Sequence, residues 1–229
     1  MNSEYLIKEY ELCFEQLRFY DTRQEELLKY LATLTSAVAT AQFAILKAFG
    51  TSTTEFFGAQ AFLSLVVFVA SVLLFLMMLQ NRLYFVFIAR QLNAIRGHML
   101  KTVATDFLNN QLYTSTGFSA FKWSSVHSMQ LLGASLISSL FAAASTFGLL
   151  NVLGLSGGYS GPALVFLAIW AAEVIGGAAY LKDASKKTAD EAIHPERGPT
   201  KPEPCAPPNG GPATPSGNSG AQVGPPSVS

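Results

Sequence analysis

One carboxylic acid stands alone inside an apolar run. Glu173 lies in "IWAAEVIGGAAYL", Ile169–Leu181, eight residues from the end of that stretch. A carboxyl at the centre of a bilayer costs at least ~2.5 kcal/mol, and intramembrane ionisable groups are functional candidates by default. Two roles suit it. It is a proton- or cation-handling carboxylate, repeated as a ring if the chain assembles. Or it is a neutral acid, because burial disfavours the charged form, and it fixes helix packing through a serine. Counted in from the ends of the apolar runs, Ser71, Ser138, Ser139 and Thr40 lie at similar depth, and Gln42 is a further polar residue inside the first run.

A second set lies in "FIARQLNAIRGHML", Phe87–Leu100, where a helix continues past its apolar run. Arg90, Asn93, Arg96 and Lys101 offer a site for an anionic headgroup, an anionic ligand or a protein partner, with Gly97 permitting close approach. The plainer alternatives are a solvated face, or ion pairs from Arg90 and Arg96 to Glu11, Glu15, Glu25 or Glu26. Exposed pairs of that kind are worth only ~0–1 kcal/mol.

Other chemistry finds no residues to carry it. "GLSGGYSG" at Gly154–Gly161 lacks the lysine of a phosphate-binding loop. The histidines, His98, His127 and His194, are scattered, and Cys13 and Cys205 stand in unlike contexts, so neither a metal site nor a disulfide framework is expected. No carboxylate pair is visible. The expectation is a protein that is not an enzyme, takes no cofactor and, with zero net charge, binds no nucleic acid.

The elements that must position these residues follow from composition. Half of the 229 residues are hydrophobic and 13% are charged, against about a quarter in soluble domains, so lipid is the expected solvent for much of the chain. A bilayer core of ~30 Å needs ~20 apolar residues as helix. Four stretches qualify: 30–49, 57–79, 128–153 and 162–181. Pro162 suits a helix's first turn, where its missing N–H has no helical partner anyway. Fourteen of the fifteen Lys and Arg residues lie before the first span, between the second and third, or after the fourth, with Lys47 the exception. The positive-inside rule then puts both termini and the middle loop in the cytosol. The acidic "MNSEYLIKEYELCFEQLRFYD" has no basic start or compact apolar stretch and does not read as a signal peptide.

The expected fold is therefore all-α and polytopic, with four transmembrane helices and long cytosolic extensions of the first two. Residues 1–29 form an amphipathic helix running into span one. Its stripe, Leu6, Tyr10, Cys13, Leu17, Tyr20, Gln24, Leu27 and Leu31, alternates steps of four and three, a coiled-coil spacing. Residues 80–105 extend span two, with Tyr84, Ile88, Leu92, Ile95 and Met99 on one face. These two stripes are expected to bury each other, with residues 106–127 as the cytosolic loop and Trp123 an interfacial anchor. Small residues at every fourth place, Ala134, Ser138, Ala142 and Thr146 in span three and Ala168, Ala172 and Gly176 in span four, predict a tight pair of these spans. Residues 188–229 carry ten of the eleven prolines and no apolar period, so they are expected to be a disordered tail.

The helical "YDTRQEELLKYLATLTSAVATAQFAIL" feeding one span, and a paired span ending in "ARQLNAIRGHML", resemble small multi-span bacterial membrane proteins. In layout they are similar to SLATT-type membrane modules, two-span units proposed as pore-forming effectors in prokaryotic conflict systems. The similarity covers Glu11 to about Leu100. A second pair of spans follows here, a departure from that module, and no site residue is carried across. The resemblance implies a bacterial inner-membrane location. The function expected is an oligomeric channel- or pore-type protein in the bilayer, with flux that responds to Glu173→Gln. The alternative is a non-conducting scaffold or sensor whose cytosolic stalk binds a protein partner or anionic lipid.

Overall fold

Nothing between residues 3 and 49, or between 54 and 102, is proline, and each of these segments winds as one uninterrupted helix. The computed structural model describes residues 3–50, 53–102, 119–155 and 158–191, and these are all-α apart from short turns. Helix α1 is Ser3–Phe49, α2 is Thr54–Thr102, α3 is Val126–Val152 and α4 is Ser160–Glu191. At 1.5 Å per residue α1 and α2 each reach roughly 70 Å, more than twice a bilayer core of ~30 Å. All four helices contain a stretch long and apolar enough to cross a membrane.

The helix ends have local causes. Gly50, at φ 74°, closes α1 by donating its N–H to the Leu46 carbonyl at 2.9 Å, a left-handed terminus that favours glycine. Ser125 caps α3, its side chain accepting from the Ser128 N–H at 3.2 Å. Helix α4 begins at Ser160, so Pro162 falls in its first turn, and it continues through residues 188–191. Those four residues, expected in the tail, are helical: "TADE" has no helix breaker, and the prolines start only at Pro195. Residues 103–118 and 192–229, which hold most of the expected loop and tail, lie outside the described residues.

Helices α1 and α2 form an antiparallel hairpin, α3 packs back along α2, and α4 packs mainly on α3. The core lies in three layers. In the outermost, Leu6 and Cys13 of α1 pack with Leu92 and Ile95 of α2. The largest sits at the junction of stalk and bundle, where Leu27, Leu31, Phe75, Met78, Leu131 and Leu181 meet. The third, Val38, Val67 and Phe141, lies deeper in the apolar segments.

The close helix approach is between α2 and α3. A Cβ on Gly148 would meet the Phe57 carbonyl oxygen at 2.8 Å and the Ala61 N at 2.9 Å, and Ser145 Oγ donates to the Ala61 carbonyl at 3.0 Å. The small-residue contact of α4 differs from the expected one. Ala168, Ala172 and Gly176 are exposed, and it is Gly177 that packs, with Leu79 and Phe75 side chains 3.2 Å from where its Cβ would stand. Residues four apart share a face, so the adjacent register at Glu173–Gly177 turns inward and the expected one turns out.

Candidate functional site

Glu173 reaches its position because α4 lies against α3 one residue off the small stripe. Ser138 Oγ is 2.5 Å from Glu173 Oε2 and 3.1 Å from the Ser135 carbonyl oxygen. A serine hydroxyl has one proton, so Ser138 either shares it between the two oxygens or accepts a hydrogen bond from a protonated carboxyl. Glu173 Oε1 is buried without a hydrogen-bond partner among the described residues, as is Trp170 Nε1 one turn away. Inside the bundle the space beside the carboxyl is about 10 Å³, too little for a solute. On its other side a groove of about 590 Å³ opens between α2 and α4, lined by Val72, Leu76, Gln80, Gly176 and Tyr180 among others.

The other polar candidates in the apolar runs do not converge on it. Ser139 Oγ donates to the Ser135 carbonyl at 2.6 Å. Ser71 is buried in the bundle, its Oγ without a partner among the described residues. Gln42 Nε2 donates to Ser64 Oγ at 3.3 Å, and Gln60 of α2 donates to the same oxygen at 3.3 Å. Thr40 points away from the bundle, exposed, with its hydroxyl donated to the Ser36 carbonyl at 3.0 Å. Thr33 does the same, donating to the Lys29 carbonyl at 2.8 Å. Ser36 is exposed on the same side.

The arginine face, offered as an anion or partner site beside the plainer alternatives, has neighbours on both sides. Arg90 Nη1 donates to the Ser185 carbonyl, in the last third of α4, at 2.7 Å. Arg96 Nη2 donates to Tyr10 Oη at 3.2 Å, and its guanidinium lies 5.6 Å from that ring's centroid. Asn93 is buried. Lys101 is helical, and its side chain lies outside the described residues. A helix with one neighbour leaves a free polar face. Here α1 covers one flank and the extension of α4 reaches the other.

Reading by sequence missed a buried polar cluster at the junction. Asn81 Nδ2 donates to the Tyr20 carbonyl at 2.8 Å and to Gln24 Oε1 at 3.0 Å. Arg82, only 2% exposed, donates from Nε to the Ala120 carbonyl at 3.1 Å and lies 5.3 Å from the Phe85 ring centroid. Burial pushes its guanidinium down to about 10, so it stays charged at neutral pH. His127 packs on Phe85 with the rings tilted by 51° and their centroids 4.9 Å apart, and its Nε2 is 3.7 Å from Asp21 Oδ1. Burial and then the Arg82 charge push the imidazole below its ordinary value, against Asp21 and a hydrogen bond with Gln130. The signal in the sequence is "QNR", Gln80–Arg82, three polar residues straight after the apolar run. Comparison with protein-family models, curated proteins and solved structures finds no match.

Proposed function

We propose that the chain is a four-span membrane protein, with both termini and the stalk on the cytosolic side, that assembles into an oligomeric channel or pore lined by α1. The membrane setting is supported by an inverted polarity: Ser64, Ser71, Ser135, Ser138 and Ser139 are buried, while Phe62, Leu73, Leu136, Leu140 and Leu164 are exposed. Water as solvent favours the opposite, and small or hydroxyl side chains inside with bulky apolar ones outside is the pattern of helices packed in lipid. The observation that carries the pore reading is the exception. At the same depth Thr33, Ser36 and Thr40 of α1 face outward. Thr33 and Thr40 donate their hydroxyl protons to their own helix, which leaves oxygen lone pairs outward, acceptors suited to water or a cation and of no use to an acyl chain.

Glu173 is assigned to packing, because its carboxyl is engaged with Ser138 on α3, away from that face. The test is ion flux through the purified protein in liposomes at matched insertion. Wild type is expected to conduct, Thr33→Leu/Thr40→Leu to conduct far less, and Glu173→Gln to match wild type. Absence of flux in wild type across several salts would discard the pore in favour of a scaffold or sensor. Flux lost in Glu173→Gln but kept in the threonine variant would move the path to the α2–α4 groove.

A further inference from the structure

We infer that the outward face of α1 is the contact between copies of this chain, with their α1 helices parallel around a common axis. The inference rests on the oligomeric reading above and names its interface. Helix α1 meets α2 through positions spaced by sevens: Leu6, Cys13 and Leu27 are buried, and so are Gln24, Leu31 and Val38. A face held against a partner at that spacing keeps its direction only if the helices wind around each other. Every other seven-residue series on α1 then also keeps a constant direction.

One such series is Tyr5, Leu12, Phe19, Glu26, Thr33 and Thr40, and all six are exposed. Tyr5, Leu12 and Phe19 are 59%, 49% and 58% exposed, although their segment carries the charges of an aqueous stalk. Thr33 and Thr40 are exposed where the rest of the bundle shows Phe and Leu. The series is thus apolar in water and hydroxylic in lipid, the wrong way round for both solvents.

The occupant must satisfy both halves. A soluble partner covers Tyr5 to Phe19 and leaves the threonines in lipid. Lipid gains nothing from the threonines and does not reach Tyr5, roughly 42 Å along the helix from Thr33 at 1.5 Å per residue. What fits is another helix of about this length, in the same orientation across the same two media. A second α1 is such a helix, and closed symmetry about the membrane normal brings the same series to the axis in every copy. The apolar half closes on itself and the hydroxyl half encircles the axis, which is where a pore would run. Glu26, the one charge in the series, has exposed Arg23 and Lys29 three residues to either side. A neighbour's cation can pair with it, and a single polar core position of that kind sets register and copy number.

The test uses the full chain with Cys205→Ser, in membranes. Leu12→Cys and Phe19→Cys are compared with Glu11→Cys and Arg18→Cys, one residue off the series, and with the buried Cys13 as internal background. A short bis-maleimide is expected to link copies strongly at 12 and 19 and weakly at 11 and 18. Equal linking at all four positions, or none, overturns the interface. Independently, Leu12→Lys/Phe19→Lys is expected to reduce the mass in detergent to that of one chain while the helical circular dichroism is kept, since both residues are exposed. An unchanged oligomer overturns the proposal. Crosslinks at 12 and 19 with no flux in liposomes keep the interface and discard the pore. Flux sensitive to Thr40 without those crosslinks keeps the pore and discards the interface.

Discussion

A single hydroxyl proton constrains Glu173. Ser138 bridges the carboxyl and the Ser135 carbonyl, so removing the acid strips α4 of a side-chain bond to α3. Glu173→Ala is expected to cost about 1–3 kcal/mol, the range for losing a buried hydrogen-bond partner. Glu173→Gln, which still presents a donor and an acceptor, is expected to cost less. Thermal melts in nanodiscs compare them, and equal melting temperatures for Ala and wild type would remove the packing role. His127 carries the pH-dependent prediction. Its folded value lies below the ordinary 6.5, so under pH ~6.5 the unfolded chain binds more protons than the folded one. Stability is full above that pH and is lost as pH falls toward the folded value. His127→Phe, which keeps a ring against Phe85, is expected to flatten the melting temperature between pH 7 and 5. A slope as steep as in wild type would show that the loss comes from elsewhere. The sequence displayed Glu173 because a charge in an apolar run is visible locally. It did not display Arg82, because what covers that side chain is the return of the chain at Ala120, 38 positions away.

At the scale of elements, α2 is the spine, with α1 on one side and α3 on another. The α2–α3 seam closes where Gly148 meets the backbone of Phe57 and Ala61. Gly148→Leu forces backbone to shift, and overpacking of this kind costs ~1–3 kcal/mol. Gly133→Leu, where nothing stands within 4 Å of the added Cβ, is expected to be tolerated. Yield and melting temperature of the two variants check this, and equal losses would place the seam elsewhere. The stalk stripes were legible in sequence because a 3.6-residue period shows itself in one helix at a time: Leu6 and Cys13 do meet Leu92 and Ile95. The partner of the α3–α4 small stripe was not legible. Ala168, Ala172 and Gly176 mark one register, Gly177 stands in the next beside Ile169 and Glu173, and only the docking of α4 selects Gly177 over Gly176.

For the whole molecule, the proposed four-span topology puts both termini on one side. Tags at either end are expected to be protease-sensitive in inside-out vesicles and protected in right-side-out ones. Opposite behaviour of the two tags would contradict a four-span topology. The same scale holds the polarity argument: serines within, leucines and phenylalanines without, and α1 the helix that breaks the pattern.

By itself the sequence determined four long apolar helices, the continuity of the first two past their apolar runs, and the acid that stands out in the last. These follow from local quantities: apolar length, the absence of proline, and charge against its immediate neighbours. Which faces meet was decided by the tertiary structure. Arg90 is held by Ser185 and Arg96 by Tyr10, contacts across 95 and 86 residues that no spacing encodes. The outward direction of Thr33, Ser36 and Thr40 is likewise set by which side of α1 the second helix takes. Burial is a property of pairs of helices, and a periodic stripe specifies a face without naming the surface that will cover it.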